Sequence, residues 1–132
     1  MSGHHPPSDM TDRDHVDGVP LPQVSDGTIR ERIATAQPYT AMLLRKTAKF
    51  TRPDVDPIVW EHGRRNMALV DHGVLAIVLP VNNDPGDWAG LGIFTAGLEE
   101  TSEIMDHDPG VRAGVFAYEV HPVNGFPSSS LA

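Results

Sequence analysis

A chain of 132 residues with 18 acidic against 10 basic side chains, a formal charge of −8, has the length of one domain and the wrong balance for gripping a phosphate backbone. It has no cysteine, which excludes thiolate nucleophiles, iron–sulfur clusters and disulfides and fits a reducing compartment. No stretch reaches the roughly 18 apolar residues of a membrane span and the first residues carry no apolar signal core, so neither nucleic acid nor membrane is expected as a partner, and a cytoplasmic location is expected.

Residues 1–27 are rich in Pro, Asp, Ser, Gly and His and offer almost no large apolar side chain to offset the entropy of ordering them. They are read as a flexible acidic extension, followed by a domain over 28–132 whose core spans 39–126. Thr28, with Glu31 three residues on, has the pattern of a capped helix start, and Ile29, Ile33 and Ala36 give the following segment one apolar side up to Gln37. The apolar run Tyr39–Lys46 predicts a strand, and Pro53 sits in turn chemistry after it. Asp56 and Pro57 supply an N-cap and a first-turn proline for a helix that stops at Gly73.

Val74–Pro80 is almost continuously apolar, as expected of a strand buried on both faces. Asn82 to Gly86 reads as a loop, Trp88–Thr95 as a glycine-containing strand, Leu98–Asp106 as a second helix and Gly114–His121 as the last strand. Between these last two, Asp108-Pro109 turns the chain through one bend, and Phe126–Ala132 is a Ser-rich tail expected to be loosely held. The order β-α-β-β-α-β predicts an α+β fold of ferredoxin-like type, an antiparallel sheet with helices on one face.

The candidate chemistry sits on the two helices and the corner after them. At 100° per residue His62 and Asn66 fall inside the apolar arc set by Ile58, Val59, Leu69 and Val70, so two polar groups point towards the sheet beside the small Gly63. His62 is either a core histidine satisfied by its surroundings or a proton-transfer residue. Asp108 either caps the turn at Pro109 or orients a histidine; Asp106 and Asp71 are the other acids that could pair with His62. Trp88 either packs at a strand rim or walls a pocket, and Ser102 and Tyr118 can donate hydrogen bonds to a ligand.

His72, His107 and His121 lack the i, i+4 or i, i+2 spacing of a metal site, and the pair His4-His5 lies in the extension, so no metal is expected. His72 is read instead as an exposed residue at a helix C-terminus. Gly90 and Gly92 lie within a strand and make no dinucleotide fingerprint. No serine, cysteine or lysine stands in a nucleophile motif.

The segment Asp106-His107-Asp108-Pro109-Gly110-Val111-Arg112-Ala113-Gly114-Val115-Phe116-Ala117-Tyr118-Glu119-Val120-His121-Pro122, taken with a histidine on the helix after the first strand and the helix end Asp71-His72-Gly73, resembles the YCII-related domain. The resemblance covers roughly Tyr39 to Phe126. It implies a dimeric α+β barrel, in which a second subunit covers the free face of the sheet. It also implies that the family's histidine and aspartate, from which enzymatic function is inferred, correspond to His62 and Asp108. The long acidic extension and the helix before the first strand depart from the simplest members of that family.

A buried carboxylate that fixes an imidazole tautomer suits proton abstraction or elimination. The reading that follows is a cofactor-independent lyase or isomerase acting on a small aromatic or anionic compound, with His62 and Asp108 catalytic and Asn66, Trp88, Ser102 and Tyr118 in contact with substrate. The competing reading is a non-catalytic homodimeric module that binds a small molecule or serves as an accessory. A third is a structural role carried by the acidic extension.

Overall fold

The computed structural model describes residues 14–82 and 85–132; statements about His4-His5, the first part of the extension and the tip of the 82–86 loop therefore fall outside it. The described residues form two units, one ending at Thr35 and the other spanning Ala36–Ala132. In the first, strands β1 (His15–Val16) and β2 (Val19–Pro20) make a small antiparallel hairpin. Its two turn residues, Asp17 and Gly18, have φ of 54° and 77°, the left-handed pair that a tight hairpin turn demands. Helix α1 (Asp26–Ala34) follows. It starts earlier than the sequence indicates because Ser25, not Thr28, is the cap: the Ser25 hydroxyl accepts from the Thr28 N–H at 3.1 Å.

The second unit holds β3 (Gln37–Lys46), a 3-10 turn (Ala48–Thr51), α2 (Val55–His72), β4 (Leu75–Pro80), β5 (Trp88–Phe94), α3 (Leu98–Asp106), a one-turn helix α4 (Pro109–Arg112) and β6 (Phe116–Gly125). The sheet order is β4-β5-β3-β6 with every pairing antiparallel, an α+β arrangement compatible with a ferredoxin-like fold. Alternation along β3 buries Thr40, Met42 and Leu44, and the core gathers these two apolar side chains with Leu75, Phe94, Met105, Val115 and Phe116. Glycine at 92 keeps this core closed: a Cβ there would meet Leu75, Met42 and Phe94 at 3.2 to 3.4 Å.

Three expectations need correction. Helix α2 begins at Val55, so Pro57 lies third in the helix; Asp54 occupies the cap position, but its carboxylate is held by the Arg52 guanidinium instead of a backbone N–H. That hydrogen-bonded pairing keeps the Asp54 carboxyl below the usual range. A proline in the first helical turn is tolerated because the N–H it lacks has no intrahelical partner there. Strand β4 is not buried on both faces within this chain. It is an edge strand, with Leu75 buried and Ala76, Leu79 and Pro80 exposed. The last strand runs on to Gly125, so that β6 pairs with the whole length of β3.

The helix ends follow the sequence more closely. Gly73 closes α2 at φ 96°, its N–H reaching the Leu69 and Val70 carbonyls, and His72 beside it is exposed. The tail after β6 makes a turn, Ser129 N–H to the Phe126 carbonyl at 2.8 Å, and borders a cavity of about 340 Å³ with Tyr39, Ile77 and Ile93. Among the described residues, no helix is long and apolar enough to cross a membrane.

Candidate active site

The centre of the site is built by one helix and one corner. The amphipathic phase of α2 turns His62 inward, making it the buried residue of that helix. The α3–α4 corner brings Asp108 to meet it: His62 Nδ1 lies 2.8 Å from Asp108 Oδ1, with the Asp108 side chain 1 % exposed and that of His62 11 % exposed. The other carboxylate oxygen accepts the N–H of Gly110 at 2.9 Å and of Val111 at 3.1 Å, so Asp108 both caps α4 and faces the imidazole.

This arrangement dictates the tautomer. Asp108 meets backbone donors on Oδ2 and, as an acceptor-only carboxylate, receives the proton of Nδ1 on Oδ1. The lone pair of His62 then resides on Nε2, where the Asn66 amide Nδ2 donates to it at 3.2 Å. A half-turn of that amide would present its oxygen instead, so Asn66 can accompany both the neutral and the protonated ring. The ring rests on Phe116, centroids 4.8 Å apart and tilted by 54°. Gly110 permits this packing, since a Cβ at that position would lie 2.4 Å from the Phe116 ring.

The pair is not sealed. His62, Gly63 and Asn66 line a cavity of about 340 Å³, together with Phe50, Trp88 and Lys46. Asp108 lies behind the imidazole and does not line it. The structure thus brings His62, Asp108, Asn66 and Trp88 together in one place. Ser102 and Tyr118 do not border this cavity. The Tyr118 hydroxyl lies 2.6 Å from the Asp106 carboxylate and 3.1 Å from the Ser102 carbonyl, and burial, then the Asp106 contact, pushes its ionisation above the ordinary tyrosine value. Asp106 and Asp71 are exposed, and it is Asp108 that pairs with His62.

Lys46, Phe50 and Phe116 escaped the sequence reading. For Lys46 a signal existed: it follows Thr40, Met42 and Leu44 in strand phase, so a cation falls on the sheet face that the helices cover. Among the described residues its ammonium makes no hydrogen bond or ion pair; it stands over the Phe50 ring, 5.6 Å from the centroid. Two other histidines are bound elsewhere, His107 Nδ1 to the Glu103 carbonyl and His121 Nε2 to Glu119. No three His, Asp or Glu side chains among the described residues stand close enough to hold a metal ion.

Compared with known proteins, the chain matches no family model and no curated sequence.

Proposed function

We propose that this chain is a cofactor-independent lyase or isomerase of YCII-related type, in which His62 Nε2 takes a proton from a small aromatic or anionic compound. Asp108 holds the ring and stabilises the imidazolium formed. The observation that carries this reading is the 2.8 Å contact between His62 and a carboxylate buried behind it, on the wall of a cavity that the imidazole itself lines. In the step envisaged, a C–H proton moves to Nε2 and its electron pair stays on the substrate. Return of the proton at another carbon, with the double bond shifted, is an isomerisation; when the C–H pair becomes a new π bond and a leaving group departs with its own bonding pair, the step is an elimination.

The test uses exchange, because it needs no knowledge of the complete reaction. A panel of carbon acids (keto acids, unsaturated lactones, cyclic enones and substituted phenols) is incubated with the protein in D₂O and followed by proton NMR. At least one compound should lose a C–H signal with wild-type protein and keep it with His62→Gln. Exchange that proceeds equally with both proteins contradicts the proposal.

A non-catalytic binding module is favoured by one specific observation: Asn66 already satisfies Nε2, so the three side chains form a closed network without a ligand. That reading predicts ligand-induced shifts around His62 without exchange.

We further propose that the working form is a homodimer, a dimeric α+β barrel, with the two sheets face to face. The support is the helix-free face of the sheet, on which alternation places Ala41 and Leu43 of β3, Leu91 and Ile93 of β5, and Ile77 and Leu79 of β4.

A further inference from the structure

The cavity at His62 has a neighbour on α2. A second, larger hollow of about 690 Å³ lies along the flank of that helix and shares Phe50, Val59, Gly63 and Met67 with the first. Beyond the shared residues it is lined by Trp60, 70 % exposed, with Asp56 and Arg64; Met67 is 53 % exposed. Trp60, Gly63 and Met67 are spaced i, i+3, i+7, one stripe of the helix surface.

Glycine in the middle of a helix costs about 1 kcal/mol of propensity against alanine. Packing does not require Gly63, since a Cβ there would meet nothing within 4 Å. What glycine provides at this position is an open saddle between the inner cavity and the outer hollow. In the inner cavity, the Lys46 ammonium supplies a positive charge without an acidic partner among the described residues, and it lies against Phe50, which borders both spaces.

We propose that the site is bipartite and takes an amphiphilic carboxylic acid: an anionic head in the inner cavity, drawn by Lys46 and presented to His62, and an apolar tail that crosses Gly63 to lie against Trp60 and Met67. This rests on the reading of the His62 cavity as a ligand site and adds the class of compound it receives. The outer hollow serves as the tail subsite of one ligand, because four residues, Phe50, Val59, Gly63 and Met67, line both spaces.

The experiment titrates the whole chain with benzoate, 4-butylbenzoate and 4-octylbenzoate, with amide shifts in ¹H–¹⁵N NMR locating each ligand. Benzoate should shift residues around His62, and the longer acids should shift Trp60 and Met67 as well. Affinity should rise about three- to fourfold for each of the first added methylenes, the increment for burying one. Gly63→Leu should abolish this rise, whereas Lys46→Met should weaken the whole series by a similar factor. Trp60→Ala, at an exposed site, should flatten the chain-length dependence even if Gly63→Leu proves poorly folded. Affinity indifferent to tail length, or a rise that persists in both Gly63→Leu and Trp60→Ala, overturns the proposal. So does failure of every member to bind beside His62. The general-base reading is decided separately, by proton exchange.

Discussion

At the scale of single residues, the two ring nitrogens of His62 have different tasks. Nδ1 is tied to a carboxylate that is itself anchored by two backbone N–H groups, and Nε2 faces Asn66 at the cavity wall. His62→Gln retains much of the volume and some hydrogen bonding, so the protein should fold while exchange of a responsive carbon acid falls by about 10² to 10⁴, the usual worth of a positioned acid or base. A folded His62→Gln protein within twofold of wild type would remove the imidazole from the chemistry. The helical phase of His62 and Asn66 was legible from the α2 pattern, and the Asp-Pro pair disclosed the capping role of Asp108. Their meeting was implied only by the family resemblance, because residues 46 positions apart are joined by the packing of a helix on a corner, which no local spacing records.

At the scale of elements, two glycines near the site should respond in opposite directions. Gly63→Ala adds a methyl group where nothing lies within 4 Å and removes the helix penalty, so chemical denaturation should show a gain approaching 1 kcal/mol. Gly110→Ala drives a Cβ against the Phe116 ring under His62 and should cost about 1 to 3 kcal/mol, the range for overpacked cores. Across β3 and β6, Glu119 accepts from His121 and from Arg45, each at 3.0 to 3.1 Å, and these contacts hold its carboxyl below the ordinary glutamate range. A depressed folded-state pKa gives stability that is present above the unfolded value and is lost as pH falls through the folded one. Acid titration of thermal stability should therefore be shallower in Glu119→Gln, by a small margin that shrinks in salt, because His121 is exposed and Arg45 and Glu119 are only half-buried. An unchanged acid limb would mean the contacts contribute nothing. The β1–β2 hairpin shows what a compositional reading overlooks: Val16-Asp17-Gly18-Val19 is a strong local hairpin signal, but a segment judged by its polarity alone hides it.

At the scale of the whole molecule, the antiparallel α+β architecture was legible from the order of elements. The role of β4 was not. Its continuous apolar run suggested burial on both faces, yet in this chain it is an edge strand with Leu79 39 % exposed. A second copy against the helix-free face would reconcile the run with its position. Sedimentation at micromolar concentration should then give a dimer burying at least about 1,200 Å² in total. Leu43→Lys together with Leu91→Lys, both on that face, should shift it to monomer. A wild-type monomer under these conditions would remove the barrel.

The most direct test of the central claim, that a buried carboxylate aims a proton-accepting nitrogen into the cavity, is the tautomer of His62 read by long-range ¹H–¹⁵N correlation NMR. With the ring neutral, wild-type protein should show Nδ1 protonated and Nε2 carrying the lone pair. In Asp108→Asn the amide oxygen can still accept from Gly110 and Val111 while its NH₂ faces Nδ1, so the assignment should reverse, and any exchange activity should fall by up to about 10⁴. A wild-type ring protonated on Nε2, or one whose tautomer is indifferent to Asp108→Asn, would contradict the account.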